Sequence, residues 1–203
     1  MTNIKDLNGI HVEGHIKISD PESGKILINQ RNAIHYENMS IALAESLANV
    51  GKGFIYEMSF GNGGTSVDPA GIITYLTPNS TGVNASLYNQ TYSKVVDNRS
   101  VNNVDPTRNK TEIRHVSGTN YTDILVSCLL DYGEPSGQNA FDTASDTDNL
   151  YVFDELGLKS YNLDGEGKLI THVIFHPVQK SLNRLIQIDY TVRVQSLSGF
   201  NEV

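Results

Sequence analysis

Apolar and polar positions alternate cleanly near the end of the chain. Ile186, Ile188, Tyr190, Val192 and Val194 fall on one face, and Gln187, Asp189, Thr191, Arg193 and Gln195 on the other. A period of two sends successive side chains to opposite faces of a strand, so this segment predicts a half-buried β-strand. Two more strand-like runs precede it, Leu150–Lys159 and Lys168–Phe175, with turns predicted over 162–167 and 177–183. Together the three runs predict a closing β-meander.

The period changes once. Tyr36, Met39, Leu43, Leu47 and Val50 recur at steps of three and four, which predicts one amphipathic helix between Arg31 and Val50, stopped by Gly51 and Gly53. Before it, Ile10–Ile18 and Lys25–Asn29 read as strands joined at Asp20-Pro21-Glu22-Ser23-Gly24, where Pro and Gly suit a tight hairpin turn. Further strands are predicted at Phe54–Phe60, Tyr92–Val96, Thr111–Val116 and Asp123–Leu130. Residues 61–90 and 132–149 read as long polar loops, of the kind that are either functional or mobile. About nine short strands without βαβ alternation predict a mainly β chain. The expected fold is an antiparallel β-sandwich or flattened barrel with one amphipathic α-helix and an N-terminal β-hairpin, in a single domain over 1–203. Residues 10–29 read as a hairpin that could also be an appended arm.

Composition narrows the function classes. The 203 residues are 38% hydrophobic and 19% charged, with 20 Asn and 17 Gly, a profile suited to strands with long turns. The formal charge is −8 and no Lys/Arg cluster occurs, which argues against a direct nucleic-acid partner. The single cysteine, Cys128, shares an apolar face with Ile124, Val126 and Leu130 and reads as a buried hydrophobe rather than a nucleophile. The N-terminus lacks signal-peptide features and no apolar run is long enough to span a bilayer. A soluble protein made in a cytoplasm, without a membrane partner, is expected. Seven Asn-X-Ser/Thr triplets between Asn38 and Asn120 then read as accidents of an Asn-rich chain.

Candidate chemistry is sparse. His11/His15 and His172/His176 are each four apart, but no set of Cys, Asp or Glu ligands accompanies them, so no metal is expected. His35 and His115 are single. Asp142, Asp146 and Asp148 could attract Ca²⁺, yet the EF-hand pattern fails because Gly157 stands where its bidentate Glu belongs. Phe60–Ser66 (FGNGGTS) lacks the Lys and spacing of a phosphate loop and reads as a turn. Asp154 and Glu155 are adjacent, so on a strand they should face opposite ways and form no acid/base pair. No nucleophile, base and oxyanion hole assemble from the pattern. No catalytic residue and no cofactor are therefore expected, and the chain reads as non-enzymatic. Tyr is frequent, at 10 residues with no Trp, and Tyr75 and Tyr88 lie in the first long loop as candidate contact residues.

An ordered series of segments resembles a family of tailed-bacteriophage virion proteins of the neck/collar, baseplate, tail-tip and tail-fibre attachment-domain type. The series runs from the helix at Asn32–Val50 to Gly61-Asn62-Gly63-Gly64-Thr65, then Glu155-Leu156-Gly157-Leu158, Phe175-His176-Pro177-Val178-Gln179-Lys180 and Ile188-Asp189-Tyr190-Thr191-Val192. It covers 30–195, while the hairpin at 10–29 is additional. The resemblance implies a virion protein made in the host bacterial cytoplasm, acting as a homo-oligomeric ring subunit with other virion proteins as partners. It marks Gly61, Gly63, Gly64, Gly157, Pro177 and Lys180 as structural or interface candidates. With no fibre shaft after 195, a compact building block is expected over a long fibre. A capsid decoration protein or a carbohydrate-binding fibre adaptor is the alternative.

Overall fold

A computed structural model describes residues 9–136, 150–163 and 165–197. The chain forms β1 (Gly9–Ser19), β2 (Ile26–Ile34), α1 (Tyr36–Leu47), β3 (Ile55–Gly61), β4 (Thr65–Val67) and β5 (Ile73–Tyr75). It continues with β6 (Gln90–Val95), β7 (Lys110–His115), β8 (Tyr121–Leu130), β9 (Leu150–Ser160), β10 (Leu169–Ser181) and β11 (Ile186–Leu197). Nine strands join in one curled antiparallel sheet of order β6-β3-β9-β10-β2-β1-β11-β8-β7, and β4 and β5 make a small separate hairpin. This is the expected mainly β architecture with one helix, a half-barrel rather than two detached layers. Its concave face gathers Ile16, Ile18, Met58, Phe60, Phe153, Leu156, Phe175, Ile188 and Tyr190 into one buried core.

The closing meander is not formed. β9 and β10 pair, but β10 and β11 are separated by β2 and β1. The N-terminal hairpin is therefore no arm; it fills the middle of the sheet. β1 pairs with β11 from Gly9↔Leu197 to Ser19↔Gln187, and Ile16 and Ile18 are fully buried. β2 pairs with β10 only at Thr171↔Ile34 and His172↔Ala33, the shortest strand pairing in the nine-stranded sheet. Alternation in β11 names its buried face correctly, since Ile186, Ile188, Tyr190 and Val192 are buried. A period of two cannot say which strand lies beside it.

Two boundaries also move. Residues 31–34 continue β2, and α1 starts only after His35, whose extended backbone and Nδ1 cap the helix by accepting from the Asn38 amide at 3.2 Å. Met39 and Ala42 face the core while Tyr36 and Leu47 are exposed, so the buried stripe is narrower than the apolar spacing predicts. The chain leaves the helix through Asn49, Gly51 and Gly53, all with positive φ. The turn predicted over 177–183 begins late, because β10 runs on to Ser181. Pro177 sits where the β9–β10 register slips, between the pairs Ile174↔Glu155 and Val178↔Phe153. A residue without an N–H costs no ladder bond at such an irregularity.

Candidate functional site

The most concentrated polar chemistry lies where β9 meets the loop over 61–90. β3 ends opposite β9 at Gly61↔Glu155, and the chain then folds back across β9. Glu155 is fully buried and uses both carboxylate oxygens. Oε1 accepts from the backbone amides of Gly63 at 3.1 Å and Asn89 at 2.8 Å. Oε2 accepts from the Tyr88 amide at 2.9 Å and from His172 Nε2 at 3.0 Å. His172, also fully buried, accepts the Asn79 amide on Nδ1 at 2.8 Å. A ring nitrogen that accepts carries no proton, so the donor to Glu155 is Nε2–H of a neutral imidazole.

Asp154 faces the β10 irregularity and grips the same loop one step later. Its Oδ1 accepts from Gly64 N at 2.9 Å; its Oδ2 accepts from Thr65 N at 2.9 Å and from the Thr65 hydroxyl. Three consecutive amides, Gly63 to Thr65, thus donate to two consecutive carboxylates. Electrostatics separates the pair. Burial pushes the Glu155 carboxyl up, but bonds from His172, Asn89, Tyr88 and Gly63 outweigh it and hold the group below its ordinary value. Burial dominates at Asp154 and raises it, against the opposing bonds from Thr65 and Gly64.

The glycines flagged from the sequence sit inside this clamp. A Cβ on Gly61 would lie 2.4 Å from Glu155 Oε1, one on Gly63 2.8 Å from Asn89 N, and one on Gly64 3.0 Å from an Ile174 methyl. Gly157 is equally tight on the same strand, 2.5 Å from Leu169 Cδ1. Tyr75 and Tyr88 are about half exposed, yet their hydroxyls are engaged: Tyr75 with His176 Nδ1 at 3.2 Å, Tyr88 with Thr77 O at 2.7 Å. His35 Nε2 holds the loop farther along, at Gly82 O, 3.0 Å away. The loop over 61–90 is pinned at many points.

Lys180 lies apart from the clamp. It is fully buried at the end of β10 and donates to the carbonyls of Asp131, Glu134 and Ser181 at 2.8–2.9 Å. Burial lowers its pKa, with Glu134 and Asp131 opposing. Lys94 on β6 joins this knot through Leu129 O at 2.7 Å and the Glu134 carboxylate. Cys128 is buried in the core, where desolvation pushes its thiol up to about 12.

The remaining sequence candidates scatter. His172 and His176 both touch the loop, through different residues, while His11 and His15 are exposed on β1. Among the described residues no group of three or more His, Cys, Asp or Glu side chains could hold a metal ion. Asp142, Asp146 and Asp148, the Ca²⁺ candidates, lie outside the described residues. No helix among those described is long and apolar enough to cross a membrane. The spacing rule for Asp154 and Glu155 missed the site, because it considers only the strand and not a loop folding over it. The glycines of Phe60–Ser66, which the sequence reads as a turn, do not adopt positive φ at Gly61, Gly63 or Gly64; their missing side chains serve close approach instead. One open apolar groove, about 560 Å³, runs between α1 and the β7–β8–β11 end of the sheet, lined by residues including Met39, Leu43, Phe54, Ile113, Ile124 and Val194. A comparison with family models, curated proteins and solved structures finds no match to this chain.

Proposed function

We propose that this chain is a non-enzymatic structural subunit of a tailed-phage virion, in the neck/collar or tail assembly, acting through contacts with its own copies and with other virion proteins. One observation carries the reading. Gly61–Thr65 and Glu155–Leu158, two of the segments on which the resemblance rests, are far apart in sequence but meet in one buried clamp, and His176, from a third, holds Tyr75 of the same loop. The groups with chemical potential there, Asp154, Glu155 and His172, spend their hydrogen-bonding capacity on fixing backbone. Rigid loops on a closed core suit a building block, which must present the same surface in every copy. Mass spectrometry of purified particles tests the reading. Peptides of this chain at stoichiometric abundance are expected, and their absence from mature particles contradicts it.

The same loop offers a second reading, a decoration protein or a glycan-binding fibre adaptor. Tyr75 and Tyr88 present half-exposed rings whose hydroxyls are already fixed, so stacking against a sugar would cost little further ordering. Binding of the purified chain on a glycan array, lost in Tyr75→Ala and Tyr88→Ala, would favour this reading over the first.

A further inference from the structure

The two edges of the sheet are built differently. β6, at one edge, turns Lys94 inward, where it is buried and tied to Leu129 O and Glu134. An inward charge is a common way to stop an edge from pairing. β7, at the other edge, has no proline, no bulge and a regular ladder to β8 from Lys110↔Ser127 to His115↔Thr122. Its groove face carries Thr111 and Ile113, and Ile113 is 77% exposed. Among the described residues no strand lies beyond it.

The other face of β7 completes a row of alternating charge. Arg31 contacts Glu13 at 3.6 Å; Glu13 stands opposite Arg193 in the β1–β11 register; and Arg193 forks onto Asp123 at 2.7 and 2.9 Å. Asp123 then stands opposite Arg114 on β7, and the Arg114 charge helps to lower its pKa after the larger effect of Arg193. Arg114 ends the row at the open edge, exposed and without an ion pair of its own among the described residues. The next position in such a row calls for a carboxylate.

We propose that this position is filled by a second copy of the chain, with β7 pairing antiparallel to β7 of its partner about a two-fold axis at Ile113. A two-fold normal to the sheet keeps each face on its own side, so opposed residues must share a face. Centred on Ile113, the register sets Glu112 against Arg114 on both sides of the axis and Ile113 against Ile113. Centred on Glu112, it opposes Glu112 to itself and Lys110 to Arg114. Centred on Arg114, it opposes two guanidinium groups. Centred on Thr111, it leaves Arg114 facing Arg108 and places Ile113 beyond the strand's partner. Only the Ile113 register gives the row its missing anion and covers the exposed side chain. Glu112 already receives Lys110 at 2.8 Å, and a carboxylate has room for both cations. This deepens the structural-subunit reading by naming one contact surface, and rests on that reading only for its setting. A two-fold closes on itself, so a ring would need another contact as well.

Sedimentation of the intact chain tests the pairing, independently of particle composition. A dimer is expected at concentrations up to about 100 μM. Because the axis repeats each pair, Glu112→Arg and Arg114→Glu should each weaken it about tenfold or more, and the double exchange should restore it. Ile113→Cys should give a disulfide-linked dimer on mild oxidation, since opposed Cα atoms in an antiparallel pair lie about 4.5–5.5 Å apart, within the span a disulfide bridges. A monomeric wild-type chain overturns the proposal, as does a dimer that ignores both single charge changes or fails to cross-link. Loss of the protein from particles, with the dimer intact, would overturn the virion reading alone.

Discussion

One half of the sheet is shut and the other is open. On the β6–β3–β9–β10 side, buried carboxylates, a buried imidazole and the three buried ammonium groups of Lys94, Lys159 and Lys180 tie down loops and the end of β8. On the β11–β8–β7 side the strands end in an exposed edge beside an apolar groove, and the charges lie on the opposite face of the sheet. The difference separates two uses of the same chemistry. Buried charge, with every partner supplied, fixes one arrangement of the chain at high cost if any partner is lost. Exposed charge in rows contributes little to the fold and is free to select a neighbour.

The largest expected effect lies on the shut side. Glu155→Ala leaves three backbone amides and the buried His172 Nε2–H without an acceptor, and should cost about 3–5 kcal/mol in urea unfolding. A cost under about 0.5 kcal/mol, the level of an ordinary surface change, would show that the clamp is not a clamp. Acid should expose the same group. Its folded pKa is depressed, so the stability it contributes is present above the ordinary glutamate range and lost as pH falls through the folded value. Asp154, whose folded pKa is raised, contributes with the opposite sign: its share is present at low pH and lost as pH rises. Comparing the pH dependence of wild type with Glu155→Gln isolates the contribution of Glu155; the variant should lose less stability in acid.

Next in size is Gly61→Ala, whose Cβ would meet Glu155 Oε1 at 2.4 Å and Asn89 O at 2.5 Å. Calorimetry should register about 1–3 kcal/mol, because backbone and a fully bonded carboxylate cannot easily give way. Lys180→Met should fall in the same range of about 1–3 kcal/mol, since it strands three carbonyls while keeping the apolar stem. The smallest effect belongs to the open side. Ile113→Thr, at an exposed edge position, should change monomer unfolding by no more than about 0.5 kcal/mol. A large loss of monomer stability there would erase the contrast between the two halves.

The sequence carried the faces of strands better than their neighbours. Alternation in β11 identified Ile188 and Tyr190 as buried, but the insertion of β1 and β2 between β10 and β11 follows from pairing over most of the chain length. That pairing leaves no local trace, since any strand with a matching apolar face could occupy the place. The clamp was half legible. Gly61, Gly63, Gly64 and Lys180 are candidates only through the resemblance, while the residues alone read Phe60–Ser66 as a turn. Their partners, Asp154 and Glu155, are some 90 residues away and looked like an ordinary pair on a strand. In the sequence His35 is only a single histidine; in the fold it caps α1 and holds the loop at Gly82.

Amide hydrogen exchange of the intact chain, followed across a concentration series, tests the contrast most directly. The account predicts that the amides of Gly63, Gly64, Thr65, Tyr88 and Asn89 exchange as slowly as core strand amides at every concentration, although they lie in or beside a loop. It also predicts that the free-edge amides of Lys110–His115 become protected only as concentration rises. Fast exchange at Gly63–Thr65, or β7 protection that does not depend on concentration, would contradict it.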